Sequence, residues 1–265
     1  MKYAALSRAA IAAFGAAWLA GCLGVPLSGL YGRSELVEET VVPADRFLTA
    51  NKIALISISG TLQGGEAQSS FFGSDSSVVS VKDQIKQAKK DPLIKAIVVR
   101  IDSPGGEVTA SDIIYRELKE LKKETEVPML ASIVSLGASG GYYVAMAADK
   151  VYAHPTALTG SIGVVFMLPQ LDGLTRKIGV DVRVIKSGDA KDFGSLWRAF
   201  VPGEREMFQA IIDSMHERFI AVVAEGRPKL SEKEIRKLAD GRPYTAEQAL
   251  ELGLYFGVFP GQAGP

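Results

Sequence analysis

The sequence is poor in the residues that bind metals and form disulfides. Its 265 residues include one cysteine, Cys22, and two histidines, His154 and His216. A single cysteine excludes an internal disulfide, a cysteine-rich zinc site and an iron–sulfur cluster, and two histidines argue against a multi-histidine metal site. We therefore expect no metal site built on cysteine or histidine.

The chain also lacks net charge, since 30 Lys and Arg balance 30 Asp and Glu. No electrostatic surface for nucleic acid is predicted from such a balance. With 47% hydrophobic and 23% charged residues, the composition excludes an intrinsically disordered, collagen-like or coiled-coil chain. The length allows one large domain or two small ones with a sizeable core.

The N-terminus has the features of an export signal. Basic residues precede an apolar stretch over residues 9–20, which is shorter than the ~20 residues that a membrane-spanning helix needs. The sequence LAGC at residues 19–22 resembles the bacterial lipoprotein box, in which cleavage precedes a cysteine that is then lipidated. We predict a signal peptide over residues 1–21 and a lipid anchor on Cys22. An uncleaved signal anchor is the alternative, and both would hold an exported domain at a membrane, facing the periplasm or the cell exterior.

Residues 22–50 mix proline, glycine and charges and are predicted to form a tether, while residues 51–260 are expected to form one domain. In that domain β-branched runs alternate with amphipathic stretches, which indicates an α/β fold with a largely parallel sheet. A loop is predicted over residues 64–80. The predicted strands are 53–59, 96–101, 128–134, 150–153, 163–167 and 180–185, and the predicted helices are 79–90, 109–123, 138–148 and 205–224, followed by two that begin at the capping boxes Ser231/Glu234 and Thr245/Gln248.

Three segments rich in glycine and serine follow predicted strands, where ligands bind in α/β folds. Ser139 lies in the second segment, inside a Gly-x-Ser-x-Gly pattern at the predicted start of a helix. We interpret Ser139 as a nucleophile with the N–H of Gly140 as an oxyanion donor, the alternative being a helix-capping serine. The first segment, residues 102–106, is either a further source of oxyanion N–H groups or an ordinary turn.

A nucleophilic serine needs a base, and the supply of histidine is small. A serine–histidine–aspartate triad on an α/β-hydrolase fold would need a histidine downstream, and His216 alone comes late enough. His216 falls in the middle of a predicted helix and is expected at the surface, and His154 ends a predicted strand, where a structural role is expected.

The third segment offers Lys186 and Lys191 as alternative bases. A lysine can act as a base when burial disfavours its charged form, and the Ser161 hydroxyl is a candidate for orienting the amine. The residues alone do not distinguish the two lysines. Both could also be solvated lysines paired with Asp189 and Asp192.

Together, these segments resemble the signal peptide peptidase A family of serine–lysine peptidases. The resemblance runs from about Ile53 to Val258. It is carried, in order, by SGT at 59–61, DSPGG at 102–106, ASGGYY at 138–143, TGSIG at 159–163, KSG at 186–188 with KD at 191–192, and ADGR at 239–242 with YT at 244–245 and QA at 248–249.

The resemblance implies roles for particular residues: Ser139 as nucleophile, Lys191 rather than Lys186 as general base, Ser161 as the residue that holds the lysine, and Gly106 and Gly140 as oxyanion donors. It implies a single spiral α/β domain of the Clp protease/crotonase type. It also implies a homo-oligomer in which neighbouring subunits supply the serine and the lysine. The chain departs from the family in its lipoprotein-like signal, where a longer transmembrane anchor is usual, and in Ala246, where the family often has glycine.

The predicted function is a membrane-tethered serine endopeptidase that hydrolyses signal peptide remnants or other short apolar peptides. A crotonase-type acyl-CoA enzyme is one alternative, although it would need a cytosolic metabolite and this chain carries an export signal. The other alternative is a protease-like scaffold that binds membrane peptides without cleaving them.

Overall fold

The computed structural model describes residues 39, 40, 42, 50–65, 69–70, 73–74 and 78–259. The predicted signal peptide, Cys22 and nearly all of the predicted tether lie outside these residues. The chain divides into two compact units, Met1–Asp45 and Arg46–Pro265. Every helix and strand given below belongs to the second unit.

Seven strands form one mostly parallel sheet. The main order is β1-β4-β5-β6-β9, with β7 paired to β5 and β8 paired to β7, and only the β7–β8 pairing is antiparallel. A separate two-stranded pair, β2 and β3, lies in the predicted loop over residues 64–80. The strands are β1 Lys52–Leu62, β2 Ser69–Ser70, β3 Gly73–Ser74, β4 Ile94–Gly106, β5 Met129–Ala138, β6 Lys150–Ala153, β7 Leu158–Gly160, β8 Pro243–Thr245 and β9 Gly257–Val258.

Helices alternate with these strands, as predicted. Both predicted capping boxes are present at the starts of the last two helices. No helix among the described residues combines the length and the apolar character that a bilayer crossing requires. The helices are α1 Val78–Lys90, α2 Val108–Thr125, α3 Gly140–Ala145, α4 Asp172–Ile178, α5 Glu204–Gly226, α6 Glu232–Leu238 and α7 Ala246–Glu251, and a 3-10 turn covers Asp189–Asp192.

The core lies between the sheet and the apolar faces of the helices. Alternate residues of β4 and β5 point into it, because successive side chains of a strand face opposite sides. On α2 the predicted apolar face is confirmed, since Ile114, Leu118 and Leu121 are fully buried. The buried strand residues are Ile56, Ile58 and Leu62 of β1, Ile97, Val99 and Ile101 of β4, and Met129, Ala131 and Ile133 of β5.

Strands β1, β4 and β5 are longer than predicted, and the extensions of β4 and β5 shape the site. Residues 102–106 continue β4, and residues 135–138 continue β5. The prediction of a loop or ordinary turn over 102–106 is therefore wrong. Proline and glycine are tolerated there because the pairing is irregular: the register shifts between Ile101 and Ser103 against β5.

Two predicted strands, 163–167 and 180–185, are absent. Both segments are irregular in the structure, and all of residues 180–185 are exposed. A β-branched sequence forms a strand only when a neighbouring edge accepts its backbone hydrogen bonds. The described part of the chain offers these segments no such edge.

Helix α5 is buried along only half of its length. Phe219, Val222 and Val223 pack into the core, whereas Met207 and Ile211 remain 48% and 41% exposed. The predicted apolar stripe over the whole helix is therefore present in the sequence but is covered only in its C-terminal half.

Candidate active site

Ser139 lies at the junction of β5 and α3 in a strained backbone conformation. Its φ of 50° and ψ of −122° are unusual for a residue with a side chain, and such strain persists only where the surrounding structure enforces it. The residue is partly exposed, and its hydroxyl makes no capping hydrogen bond to α3. The helix-capping alternative for this side chain is therefore wrong, and the hydroxyl is available for chemistry.

Two tyrosines hold the short helix α3, and with it Ser139, against the rest of the domain. The Tyr142 hydroxyl donates to the carbonyl of Leu254 at 2.8 Å. The Tyr143 hydroxyl donates to Oδ1 of Asp112, on α2, at 2.6 Å. All residues of α3 are buried. Ser139 therefore directly precedes a helix that is packed into the domain.

The Asp112 carboxylate accepts hydrogen bonds from three side chains. Besides Tyr143, it accepts from Arg116 at 2.7 Å and from Arg218 of α5 at 3.0 Å. Partial burial alone would raise the pKa of the Asp112 carboxyl, but the three hydrogen bonds together lower that pKa below its ordinary value. Burial and the bond to Asp112 also raise the pKa of the Tyr143 hydroxyl, so the tyrosine stays protonated and continues to donate.

The backbone at Gly105 and Gly106 lies directly against Ser139 and Gly140. A Cβ atom on Gly105 would lie 2.5 Å from the Gly140 nitrogen and 2.9 Å from Cβ of Ser139. One on Gly140 would lie 3.3 Å from the Gly106 nitrogen. The N–H of Gly140 begins α3 and has no acceptor inside that helix. The structure therefore brings the two predicted oxyanion donors close to the predicted nucleophile.

Ser161 lies beside Ser139 across the pairing of β5 with β7. Ala138 pairs with Gly160, and the Ser139 N–H donates to the Gly160 carbonyl at 2.8 Å. Ser161 also has a φ of 50°, and its N–H donates to the carbonyl of Arg242 at 2.8 Å. The ADGR segment therefore supports the backbone of the predicted base-orienting residue.

The two candidate bases differ in their partners. Nζ of Lys186 lies 2.8 Å from Oδ1 of Asp192 and donates to the carbonyl of Asp189 at 2.7 Å. Lys191 is exposed in the 3-10 turn, and its ammonium forms no ion pair with any residue that the structure describes. Of the two lysines, Lys191 is thus the one that is not committed to a partner.

Ser139 and the lysines are not joined within one chain. Among the described residues, no hydrogen bond links Ser139 to Lys186 or to Lys191. The structure therefore assembles the predicted nucleophile, Ser161 and the oxyanion donors, but leaves the predicted base elsewhere on the same chain.

Four charges of alternating sign lie at the turn that carries Lys191. Lys186 pairs with Asp192, Asp192 pairs with Arg198 at 2.9 Å, and Arg198 pairs with Glu204 at 2.6 Å. Hydrogen bonds from Arg198 and Lys186 hold the pKa of the Asp192 carboxyl well below its usual range. Hydrogen bonds from Arg198 and from the N–H of Val201 lower the pKa of Glu204 to about 2.

Neither histidine is connected to Ser139 by a hydrogen bond among the described residues. His154 is exposed after β6, and its Nδ1 lies 2.9 Å from the Thr156 hydroxyl. His216 is partly buried in α5, and its Nε2 has no partner in the described part of the chain. Its predicted surface position is therefore only partly correct. No group of three or more His, Cys, Asp or Glu side chains among the described residues could hold a metal ion.

Asp112 and the set of four charged residues around the turn support the site but were not predicted from the sequence. Asp112, which anchors the helix of the nucleophile, gave no signal, because its partners lie on separate helices. The other set, Lys186, Asp192, Arg198 and Glu204, has one visible feature: the charges alternate in sign at intervals of six residues. That spacing matches neither a helix nor a strand, so no periodicity singles it out.

Residues 121–255 match peptidase family S49. The candidate protease slr0021 of Synechocystis sp. is 40% identical over 206 residues, which are 78% of this chain and 69% of that protein. The candidate signal peptide peptidase SppA of Enterococcus faecium is 32% identical, over 84% of this chain and 64% of that protein. Protease 4 of Haemophilus influenzae is 30% identical, over 86% of this chain and 38% of its own length. The chain thus spans between about two thirds and about two fifths of these relatives.

Proposed function

This chain belongs to peptidase family S49 and is a serine protease, and from that premise we propose that it cleaves peptides with a dyad of Ser139 and Lys191. The predicted α/β fold of the Clp protease/crotonase type, with its largely parallel sheet, is confirmed. The observation that supports the dyad best is the strained, uncapped Ser139 with the backbone of Gly105 and Gly106 against it.

In the proposed mechanism, Oγ of Ser139 attacks the carbonyl carbon of the peptide while neutral Lys191 takes the hydroxyl proton. The N–H groups of Gly106 and Gly140 donate to the oxyanion that develops in the tetrahedral intermediate. When the C–N bond breaks, Lys191 returns the proton to the leaving amine, and an acyl-enzyme remains. Lys191 then takes a proton from water, the hydroxide oxygen attacks the ester, and the second collapse releases the acid and restores Ser139.

Within this proposal Ser161 orients the lysine. Its position beside Ser139, across the β5–β7 pairing, supports that role. The choice of Lys191 over Lys186 is supported by the ion pair that engages Lys186.

We further propose that two neighbouring subunits build each site. This arrangement is supported by the lack of any hydrogen bond between Ser139 and Lys191 in the described part of one chain. The exposed half of α5 and the exposed segment 180–185 supply apolar surface for association: Val180, Val182, Val184 and Ile185 are 49%, 40%, 49% and 101% exposed.

The proposed substrates are signal peptide remnants or other short apolar peptides. The name of the Enterococcus faecium relative supports this class. Lipidation of Cys22 would tether the protease to a membrane on the exported side. No metal or organic cofactor takes part in the proposed steps.

The dyad is tested by single substitutions assayed on a fluorogenic peptide. Ser139→Ala and Lys191→Ala should each reduce kcat/KM to the background level, because nucleophile and base act as a unit. Lys186→Ala should retain much of the activity. Equal loss in both lysine variants would contradict the choice of base.

Chemical labelling of the nucleophile and the pH dependence of activity test the same proposal. A serine-directed fluorophosphonate should modify Ser139, as located by mass spectrometry. Activity should rise between pH 6 and pH 10, because a lysine can act as a base only in its neutral form, and a flat profile would count against a lysine base.

A further inference from the structure

The turn that carries Lys191 has little regular structure to hold it. No strand of the described part of the chain includes any of residues 161–203. The backbone hydrogen bonds of the turn are local, from Lys191 N–H to the Gly188 carbonyl and from Phe193 N–H to the Ala190 carbonyl. A catalytic base must nevertheless be held within a fraction of an ångström of its productive position. The required rigidity must come from side chains.

Arg198 supplies the densest set of such contacts. Its guanidinium donates to both carboxylate oxygens of Asp192, at 2.9 and 3.1 Å, and to the Asp192 carbonyl at 3.0 Å. It also donates to both oxygens of Glu204, at 2.6 and 2.9 Å. Bidentate hydrogen bonds between a guanidinium and a carboxylate fix the relative orientation of the two side chains as well as pairing their charges. Arg198 thereby joins the end of the turn to the first residue of α5.

An aromatic stack also connects the turn to α5. Phe193, which directly follows the turn, lies over Phe208 of α5 with ring centroids 3.9 Å apart and an interplanar angle of 18°. Glu204 is almost completely buried, and the Asp192 side chain is only 11% exposed. Asp192 therefore points inward while its neighbour Lys191 points outward.

We propose that Arg198, acting through Asp192, is a positioning residue for the general base: it holds the turn that carries Lys191 and keeps the Asp192 carboxylate engaged, so that this carboxylate does not pair with the base. The inference rests on the proposed role of Lys191.

The electrostatic part of this role follows from sequence adjacency. An unengaged carboxylate beside Lys191 would favour its charged form and remove the neutral amine that the reaction needs. The charged groups that face the turn are Lys186, Asp189, Arg198 and Glu204. Asp189 is exposed, so solvent screens the charge of its carboxylate. The cations Lys186 and Arg198 balance the carboxylates of Asp192 and Glu204, and the low pKa of Asp192 is consistent with that pairing.

The test is the pH dependence of kcat/KM for full-length variants on one fluorogenic peptide. Arg198→Gln removes the guanidinium that binds both oxygens of the Asp192 carboxylate and leaves the ion pair with Lys186. The less engaged carboxylate should move the midpoint of the alkaline rise up by about one pH unit. Asp192→Asn removes the carboxylate that pairs with Lys186 and leaves Arg198 paired with Glu204. The positive charge near the base is then less compensated, so the midpoint should move down by a similar amount. A purely structural role would lower kcat in both variants without moving the midpoints in opposite directions.

Two controls separate charge from geometry and from folding. Arg198→Lys keeps the charge but loses the fork, so kcat should fall several-fold while the midpoint stays near that of the wild type. Arg236→Gln is the matched control, because Arg236 likewise binds two carboxylates, those of Glu217 and Glu232, but on α5 and α6 away from the turn. Its midpoint should equal that of the wild type.

Failure of the proposed role of Arg198 can be distinguished from failure of the proposed Ser139–Lys191 dyad. If Lys191→Ala keeps its activity, the proposed function fails and the inference fails with it. If Lys191→Ala is inactive but Arg198→Gln and Asp192→Asn keep the wild-type midpoint, or shift it in the same direction, the inference alone is overturned. Should Arg198→Gln fail to fold, the downward shift in the near-isosteric Asp192→Asn decides the question.

Discussion

Strain at single residues concentrates around Ser139. Ser139 and Ser161 both have positive φ angles, and Gly105, near the end of β4, has a φ of 98°. These three positions come from three different strand ends and meet at one place. The backbone is thus held in conformations that it would leave if the sheet did not enforce them, which is how a nucleophile can be presented with nearby N–H donors.

Gly105→Ala tests this close approach. The added Cβ would lie 2.5 Å from the Gly140 nitrogen, so the two oxyanion donors must separate, and kcat should fall by about 10²-fold or more. The measurement is steady-state kinetics beside a thermal unfolding curve.

Gly173→Ala is the matched control for that substitution. Gly173 lies in α4, and nothing lies within 4 Å of the Cβ that would be added. Its activity should equal that of the wild type, and its stability should rise by up to about 1 kcal/mol, because alanine favours a helix. Unchanged kcat in Gly105→Ala would show that these N–H groups do not act on the substrate.

Short helices and strand ends depend on contacts from other elements. The helix α3 has six residues, too few to be stable alone. It persists because Tyr142 reaches the segment before β9 and Tyr143 reaches α2, where Arg218 from α5 meets the same carboxylate of Asp112. One ionised side chain therefore ties three helices together behind the nucleophile.

Tyr143→Phe should lower the free energy of unfolding by about 1.5–3 kcal/mol at pH 7, the usual worth of a hydrogen bond to a charged group. The folded-state pKa of Asp112 is depressed below 3.8. The stabilisation from its ionised form is therefore complete above that value and is lost as pH falls through the folded-state pKa. The difference between variant and wild type, measured by urea unfolding, should shrink in acid.

Tyr152→Phe provides the comparison for that experiment. The Tyr152 ring stacks on Phe259 with centroids 5.6 Å apart, and its hydroxyl has no hydrogen bond among the described residues. Its loss should change stability little at either pH. An equal and pH-independent loss in both variants would mean that the Asp112 contact contributes nothing of its own.

The whole molecule has a surface that one chain does not cover. Apolar residues of segment 180–185 and of the first half of α5 remain exposed. Lys191 is also exposed and forms no hydrogen bond to Ser139 in the described part of the chain. Both features are explained if neighbouring subunits complete each site.

Mixing two inactive variants tests shared sites. If Ser139→Ala and Lys191→Ala subunits assemble at random in equal amounts, a site that takes its serine and lysine from neighbours is intact in about a quarter of cases. The mixture should therefore recover about a quarter of wild-type kcat after co-refolding or co-expression. No recovery in mixed oligomers would place both residues of a site in the same chain.

Local pattern was enough to predict much of the fold. Apolar periodicity was enough to predict the helices over 79–90 and 109–123 and the strand over 150–153. The capping boxes could be predicted because their side chains form hydrogen bonds with the backbone of their own helix ends. These features depend on neighbours in sequence. The segments around Ser139 and Ser161 could also be recognised, because glycine and serine at strand ends leave a visible pattern.

Other features depend on long-range contacts that no local pattern contains. The segment 180–185 has the composition of a strand but lacks a partner edge, and the Asp112 cluster joins residues more than 100 positions apart. The choice between Lys186 and Lys191 rests on an ion pair formed when the turn at 189–192 folds against α5. A residue's type and its neighbours determine what it can form, but which partner it meets is decided by the path of the chain through the fold.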